Sequence, residues 1–301
     1  MKIKQLLEEK KPTISFEVFP PKRDMDIDGI FKTIEALKPL DPDFISVTYG
    51  AGGTSKDTTI DIASRIKTDF DIETIAHLTC VTSTTKEVNE TLAELKNRGI
   101  ENILALRGDI PHDIPTAGLP NDFKYASDLV KHIQDDGGFS IGGACYPEGH
   151  LDATSFDEDI WNLKRKASLG LDFLITQLFF DNEIFYRFAD KCKSHGIDVP
   201  IIAGILPVLS KSQILRIQQL SGCTLPKKFL RIINRYEHDP KALKEAGTAY
   251  AIEQIVDLLS WGIDGVHIYT MNKPDTAAKI TDAIKSIRQS LVDSDPNSKV
   301  V

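Results

Sequence analysis

The sequence predicts a (β/α)8 barrel with an extra helix before the last strand, and three features of the pattern support that fold class. Eight short apolar runs rich in β-forming residues alternate with amphipathic helical stretches. Several runs, such as 173–180, are apolar on both faces, as expected of a parallel sheet covered by helices. Several helical stretches end in a glycine that leads into the next run, at Gly99, Gly170, Gly196 and Gly262. Eight such units favour a closed barrel, and an open doubly wound sheet stays the alternative.

The predicted elements alternate along the whole chain. Strands are predicted at 14–19, 44–49, 74–80, 102–107, 140–146, 173–180, 200–208 and 265–270. Helices are predicted at 27–37, 58–69, 86–98, 125–134, 157–169, 183–195, 242–261 and 275–291. A further stretch, 225–239, predicts the extra helix and its loop, and 1–12 predicts a short helix that caps the first strand. No repeat or linker divides the chain, so residues 1–301 are predicted to form a single domain with a frayed tail at 293–301.

Composition and charge exclude several classes of protein. The chain carries 36 Lys and Arg against 44 Asp and Glu, and this net charge of −8 argues against a nucleic-acid-binding groove. No apolar run approaches the roughly 18 residues that a membrane span needs. Four scattered cysteines without a CxxC pair indicate reduced thiols, and residues 1–12 lack the apolar core of a secretory signal. We therefore expect a cytoplasmic protein whose partners are small molecules, with no nucleic acid and no membrane.

A carboxyl group stands at the end of the first predicted strand, which is where barrels place their chemistry. Glu17 is flanked by Phe16, Val18 and Phe19. Poor solvation among such neighbours favours the protonated form of a carboxyl group, which makes a general acid near neutral pH. The alternative is a Glu held in an ion pair inside the barrel.

The second and third strand ends carry groups suited to a flat or phosphorylated ligand. Thr48 and Tyr49 lead into a glycine-rich turn at 50–54, which allows close backbone approach to a ligand, and a flexible turn is an equal alternative. The turn matches neither the GxGxxG nor the Walker A motif. His77 has no second ligand at metal-binding spacing, so we expect no metal site.

The next two strand ends combine charged and aromatic groups. Arg107, Gly108 and Asp109 place a cation, a compliant backbone and an anion within one turn, with a surface salt bridge as the alternative. Tyr146 and His150 follow the fifth strand. Four polar residues of the next helix share one face or its edges, at Asp159, Asn162, Arg165 and Lys166. Such a face suits a diphosphate, and a solvated charged face is the alternative.

The sixth strand ends with an amide among apolar residues. Gln177 suits recognition of a heterocycle at that position, or it is satisfied by neighbouring backbone. The sequence contains no GxSxG elbow that would indicate a nucleophilic serine. Together the strand ends fit a flat heterocyclic cofactor and a second flat substrate, and they do not by themselves name the reaction.

Ten short motifs at these strand ends and helix starts resemble the methylenetetrahydrofolate reductase family, bacterial type. They are SFEVFPPK (15–22), DFISVTYGAGG (43–53), AHLTC (76–80), ILALRGD (103–109), YASDLV (125–130), ACYPEGH (144–150), NLKRKASLG (162–170), ITQLFFD (175–181), GILPV (204–208) and HIYTMN (267–272). The match runs from about Thr13 to Ile287, which is nearly the whole chain. So many motifs in the same order are not explained by chance.

The resemblance implies a barrel that binds FAD non-covalently and reduces 5,10-methylenetetrahydrofolate to 5-methyltetrahydrofolate, which feeds methionine synthesis. It implies that NADH or NADPH gives a hydride to FAD and leaves before the folate binds in the same place, in a ping-pong order. It also implies a homo-oligomer. One alternative is a flavin-dependent reductase of the same barrel family that acts on another one-carbon or pterin substrate. Another is a non-catalytic barrel subunit that binds flavin or a partner.

The same resemblance assigns roles to individual residues. Glu17 corresponds to the general acid, and Asp109 to a catalytic residue near the flavin and the folate. The FAD-binding residues that it implies are Thr48, Tyr49, Ala51, His77, Arg107, Gly108, Asp109, Tyr125, Ala126, Tyr146, His150, Asp159, Asn162, Arg165 and Lys166. The substrate-binding residues that it implies are Glu17, Thr48, Asp109, Gln177, Gln213 and Lys273. The sequence departs from the family pattern at Lys273, where Arg is common, and at Ile217, where an aromatic residue is expected.

Overall fold

The computed structural model describes residues 1–21, 27–49, 56–110 and 119–294. These residues form eight parallel strands that close into a barrel in chain order, with the first strand paired to the last. The strands are β1 (Thr13–Val18), β2 (Phe44–Val47), β3 (Thr74–Thr79), β4 (Asn102–Leu106), β5 (Ser140–Cys145), β6 (Phe173–Thr176), β7 (Ile201–Ile205) and β8 (Gly265–Tyr269). The predicted (β/α)8 fold class is therefore confirmed.

The helices surround the barrel and cap one of its ends. They are α1 (Ile3–Glu9), α2 (Asp28–Leu37), α3 (Lys56–Phe70), α4 (Thr85–Asn97), α5 (Ala126–Asp136), α6 (Phe156–Ala167), α7 (Asn182–Ser194), α8 (Lys211–Ser221), α9 (Lys227–Tyr236), α10 (Pro240–Trp261) and α11 (Pro274–Ser294), with a 3-10 turn at Lys38–Leu40. Gly99, Gly170, Gly196 and Gly262, which follow four of these helices, all have positive φ, as their predicted capping role requires. Within the described ranges, no helix is long and apolar enough to cross a membrane.

The structure differs from the predicted elements between β7 and β8 and at the carboxyl-terminal helix. The extra helix predicted at 225–239 is α9, but the segment between β7 and β8, which is described throughout, also contains α8, which was not predicted. The apolar pattern of α8 is short, since Ile214 is buried and Ile217 only half-buried, so its period is weak. At the other end, Asp293 and Ser294 belong to α11 rather than to a frayed tail, and the rest of that predicted tail lies outside the described residues.

The lower part of the barrel interior is apolar and is closed by α1. Ile3 and Leu7 of that helix join one buried cluster with side chains from the strands, namely Phe44, Ile75, Leu104, Phe173, Ile175 and Ile202. Asn102 fixes the helix to the sheet, because its Oδ1 accepts the Ile3 N–H at 2.8 Å and its Nδ2 donates to the Thr74 carbonyl at 3.2 Å. The amino-terminal end of the barrel is therefore a sealed apolar layer.

The helices α8 and α9 lie over the carboxyl-terminal ends of β6 and β7. Phe229 of α9 stacks on Phe180, which follows β6, with ring centroids 4.5 Å apart. The loop after β5 is tied to the same insertion, because the Glu148 carboxylate accepts the Thr224 N–H at 3.0 Å. This insertion therefore borders the end of the barrel at which the predicted site residues lie.

Candidate active site

Glu17 lies inside the barrel at the end of β1, and its side chain faces two imidazole rings. The residue is 7% exposed. Its Oε2 is 3.7 Å from His77 Nε2 and 3.9 Å from His267 Nε2. A carboxyl group in this position is shielded from bulk water, as the apolar sequence flanks predict.

His267 is fully buried and is held on both sides by hydroxyl groups. Its Nδ1 lies 2.7 Å from Ser15 Oγ, and its Nε2 lies 3.0 Å from Ser46 Oγ. These contacts fix the ring orientation beside Glu17. His267 is not among the residues predicted from the sequence, although a histidine in the apolar run of β8 is the same signal that indicates His77 in β3. The alternation of polar Ser15 and Glu17 with apolar neighbours in β1 is a second signal for this buried polar layer.

His77 is neutral, and it is not fully satisfied by the protein. Burial lowers its pKa to about 4, and the nearby Glu17 charge only partly opposes that effect. Within the described part of the chain, the buried His77 Nε2 and Thr48 Oγ1 have no hydrogen-bond partner. Five other buried polar atoms of the described residues also lack a partner, so these two atoms are hydrogen-bonding positions open to a ligand rather than evidence of one.

The neutral His77 predicts a specific pH dependence of stability. The unfolded-state pKa is near 6.5 and the folded-state pKa is about 4, so between these pH values only the unfolded chain binds the proton. The free energy of unfolding should fall by about 3 kcal/mol from this group as the pH drops from 6.5 to 4, with no contribution above pH 6.5. Urea unfolding across this range should show a flatter pH profile for His77→Gln. His238→Gln, at a side chain that is 92% exposed, is the control and should retain the wild-type profile.

The backbone just after β4 has a positive φ and lies close to the neighbouring strand β3. Gly108 has φ +82°, and a Cβ added there would lie 2.8 Å from Thr79 Cβ. Only glycine meets both conditions without strain. Arg107 is half-buried beside it, and its Nη1 lies 3.0 Å from Oδ2 of the loop residue Asp152. Asp109 is exposed at the rim.

The end of β5 brings together three of the predicted FAD-binding residues. The rings of Tyr146 and His150 meet edge to face with centroids 4.6 Å apart. The His150 backbone N–H donates to Asp159 Oδ2 at 3.1 Å. Burial raises the pKa of Tyr146 to about 12 and also raises the pKa of Asp159. Both side chains are half-buried at this end of the barrel.

The four predicted polar residues of α6 do not share one environment. Lys166 turns inward, where its Nζ donates to the Ala144 carbonyl at 2.6 Å, and burial lowers its pKa. Asn162 and Arg165 are exposed on the same helix. The diphosphate-binding role of this face stays a prediction.

The predicted substrate-binding amides make local backbone contacts. Gln177 Oε1 accepts the Leu178 N–H at 2.9 Å. For this oxygen, the alternative that neighbouring backbone satisfies the amide therefore holds. Gln213 Oε1 accepts the Leu209 N–H at 2.8 Å and so helps to begin α8. Lys273 is exposed in the loop after β8.

The remaining predicted residues lie around the same end of the barrel or outside the described part. Tyr49 lies two residues beyond the end of β2, and burial is the largest cause that raises its pKa. Tyr125 is exposed at the N-cap of α5, and Ala126 begins that helix. Ala51 and the glycine-rich turn lie outside the described residues. Among the residues that the structure describes, no cluster of three or more His, Cys, Asp or Glu would hold a metal ion.

Hydrogen bonds from the loop after β8, which the sequence did not indicate, hold the backbone at the end of β1. Asn272 forms two hydrogen bonds to the backbone of Phe19. Its Oδ1 accepts the Phe19 N–H at 3.0 Å, and its Nδ2 donates to the Phe19 carbonyl at 2.8 Å. Thr270 Oγ1 donates to the Glu17 carbonyl at 2.6 Å. The loop after β8 therefore holds the backbone on both sides of the Glu17 site.

Comparison with known proteins decides the family. The family model described as methylenetetrahydrofolate reductase matches residues 2–285. The chain belongs to the methylenetetrahydrofolate reductase family. This confirms the family that the ten sequence motifs indicated, and the residue roles carried over with it stay predictions.

Members of the methylenetetrahydrofolate reductase family from bacteria and eukaryotes align with this chain. The 5,10-methylenetetrahydrofolate reductase of Escherichia coli is 38% identical over 267 residues, which cover 89% of this chain and 88% of that protein. Methylenetetrahydrofolate reductase 1 of Schizosaccharomyces pombe is 35% identical over 286 residues, covering 94% of this chain and 47% of that protein. The chain thus spans about half the length of the eukaryotic relatives it matches.

Among solved structures, one similar chain is a protein from Clostridium thermocellum described as binding two copies of 5-methyl-5,6,7,8-tetrahydrofolic acid. The TM-score is 0.67 at 17% identity, covering 96% of this chain and 99% of that one. At that identity the likeness supports the barrel fold alone.

Proposed function

We propose that this chain reduces 5,10-methylenetetrahydrofolate to 5-methyltetrahydrofolate, a product that feeds methionine synthesis. The reaction uses bound FAD, with NADH or NADPH as the hydride donor. The two substrates bind one after the other in a ping-pong order. The observation that carries the proposal is Glu17, a buried carboxyl group facing the neutral His77 at the carboxyl-terminal end of a barrel of this family. The name of the Escherichia coli relative states the same folate substrate, and the name of an Arabidopsis thaliana relative includes NADH.

The chain's residues fit FAD at this end of the barrel. The orphaned Thr48 Oγ1 and His77 Nε2 lack partners that a polar ligand would supply. Gly108 brings bare backbone to the same rim, and Arg107 offers a cation there. These residues, with Tyr146, would hold the cofactor. When bound, FAD supplies two-electron hydride chemistry.

Glu17 supplies the proton that the folate needs. The five-membered ring that carries the one-carbon bridge must open before a hydride can attack, and opening requires a proton on the departing nitrogen. Glu17 is buried at the position of the family's general acid, with its Oε2 3.7 Å from His77 Nε2. After giving up its proton, the Glu17 carboxylate stabilises the cationic iminium that results.

Asp109 adds a second negative charge at the rim. Asp109→Asn should slow the reduction of the folate about tenfold, because it removes one partly solvated charge interaction with the cationic iminium. It should slow the reduction of the flavin by NAD(P)H less. Rapid-mixing measurement of the two half-reactions checks this. Asp282→Asn, at an exposed position of α11, is the control and should change neither rate. A larger loss in flavin reduction than in folate reduction would contradict the assigned role.

Anaerobic spectroscopy tests the proposed function. The purified protein is expected to be yellow, to bleach with NADH or NADPH, and to recolour when 5,10-methylenetetrahydrofolate is added. Bleaching without recolouring by this folate would favour a reductase for another one-carbon or pterin substrate. A protein that stays colourless after reconstitution with FAD would favour a non-catalytic barrel.

A further inference from the structure

The backbone pairing between β1 and β8 ends at the residue proposed as the acid. The last residues in register are Glu17 and Tyr269. Beyond Glu17 the chain continues through Val18 and Phe19 to two prolines at 20–21, which have no backbone N–H to donate. The Phe19 N–H, the last one before the prolines, therefore comes after the end of the β1–β8 ladder.

Side chains of the loop after β8 continue the pairing where this ladder stops. Thr270 Oγ1 donates to the Glu17 carbonyl at 2.6 Å. The Asn272 amide then pairs with Phe19 as a peptide group would, since it accepts the Phe19 N–H and donates to the Phe19 carbonyl. Asn272 is itself held, because its backbone N–H donates to Thr270 Oγ1 at 3.2 Å. One loop therefore fixes the backbone at Glu17 and again two residues beyond it.

The backbone conformation at Asn272 separates two reasons for an asparagine at this position. Asn272 has φ +54°, and Met271 before it has φ +52°. Glycine adopts this left-handed conformation most easily, and asparagine is among the residues that tolerate it. An asparagine that serves only the turn is replaceable by glycine. An asparagine that holds β1 is not, because glycine removes both hydrogen bonds to Phe19.

The position of the Glu17 carboxyl group depends on the backbone that carries it. Its Oε2 is 3.7 Å from His77 Nε2 and 3.9 Å from His267 Nε2, and both distances are longer than a hydrogen bond. A general acid must come within about 2.6–3.2 Å of the atom that takes its proton. A displacement of about 1 Å at a reacting group can cost about a hundredfold in rate. A shift of the backbone at the end of β1 would therefore affect the reaction.

We propose that Asn272 is a positioning residue for Glu17, an inference that rests on the proposed function. By pairing with Phe19, the Asn272 amide keeps the end of β1 in place, so that the Glu17 carboxyl group meets the departing nitrogen of the folate at the distance that proton transfer needs. Asn272 acts through Glu17 and takes no part in the proton transfer itself. Loss of its amide should therefore affect the step that uses the Glu17 proton, and not the transfer of hydride from NAD(P)H to FAD.

Half-reaction kinetics of Asn272→Gly test this role. At saturating folate, the maximal rate of flavin recolouring should fall about thirtyfold, within the loss that a small displacement of the acid causes. The folate concentration that gives half of the maximal rate should change by less than about threefold, because the binding contacts are kept. Bleaching of the flavin by NAD(P)H should stay near the wild-type rate. Equal losses in bleaching and recolouring would overturn the proposal.

A double variant distinguishes a positioning role from a general structural one. Positioning helps only a side chain that has a proton to give, so Asn272→Gly should have little further effect once Glu17 is replaced by Gln. Glu17→Gln/Asn272→Gly should recolour at the rate of Glu17→Gln alone, within about twofold. If the two losses multiplied instead, Asn272 would act independently of Glu17 and the proposal would be overturned.

Asp71→Gly is the matched control for the release of backbone strain. Asp71 also has a positive φ, +57°, and it is exposed in the loop before β3. Its replacement by glycine should leave both half-reactions unchanged. If Asn272→Gly likewise left the folate half-reaction unchanged, Asn272 would serve the turn alone and the proposal would be overturned.

Hydrogen exchange at the Phe19 amide tests the hold on β1 apart from turnover, in the full-length protein without substrate. Exchange should be at least tenfold faster in Asn272→Gly than in wild type or Asp71→Gly, because Asn272 Oδ1 accepts that N–H. Unchanged exchange would overturn the positioning role and leave the proposed function standing. A wild type that does not reduce the folate would overturn the proposed function, and faster exchange in Asn272→Gly would then still support the hold of Asn272 on β1.

Discussion

Glu17→Gln is expected to slow the folate half-reaction by about a thousandfold, within the range of general acid catalysis, while NAD(P)H still bleaches the flavin at near the wild-type rate. The amide keeps the shape of the side chain and its place between the two imidazoles, but it has no proton to give to the departing nitrogen. Anaerobic rapid mixing, with each half-reaction followed by flavin absorbance, measures both rates separately.

Glu90→Gln is the matched control, since Glu90 is an exposed residue of α4 whose Oε1 lies 3.9 Å from Lys86 Nζ. This variant should match wild type in both half-reactions. If Glu17→Gln instead slowed bleaching and recolouring to the same degree, Glu17 would be a structural residue and the proposed mechanism would fail.

Gly247→Ala is expected to destabilise the fold by about 3 kcal/mol, at the upper end of typical overpacking costs. Gly247 lies in α10 against the loop that follows β7, and a Cβ added there would lie only 1.8 Å from the Val208 carbonyl oxygen. The contact is with backbone, so relief requires the helix to move away from the barrel. Urea unfolding monitored by circular dichroism measures the loss.

The same substitution in open space serves as the comparison. Gly29 lies in α2 with nothing within 4 Å of an added Cβ, so Gly29→Ala should stabilise the protein by about 0.5–1 kcal/mol through helix propensity. Equal stability of Gly247→Ala and wild type would show that α10 adjusts its position at little cost.

The strands were predictable because each is an apolar run between turn signals, but an apolar run reports burial rather than strand pairing. The sixth run was predicted to extend over 173–180, yet β6 ends at Thr176. Phe179 and Phe180 beyond it are fully or nearly fully buried, but they pack against rings from helices, Phe185 and Phe229 respectively. The sequence pattern contains no information on which neighbour does the burying.

The site was predictable where a polar residue interrupts an apolar strand, and not where the contact depends on distant parts of the chain. Glu17 and His77 were found in this way, and they lie 3.7 Å apart. The bonds from Asn272 to Phe19 join residues 253 positions apart and need a backbone with φ +54°, which no local pattern indicates. Helix periodicity likewise predicted that Lys166 and Arg165 share one face of α6 or its edges. It did not predict the direction of the long Lys166 side chain, which turns inward to the Ala144 carbonyl.

The apolar floor beneath the polar layer bears on the proposed acid role of Glu17. Ile3 and Leu7 pack with apolar strand side chains on the amino-terminal side of the buried serines and histidines. If Glu17 gives up a proton as proposed, we expect its replacement to arrive from the opposite, carboxyl-terminal end. Product departure and reprotonation would then share one route, and a tightly held product would delay both.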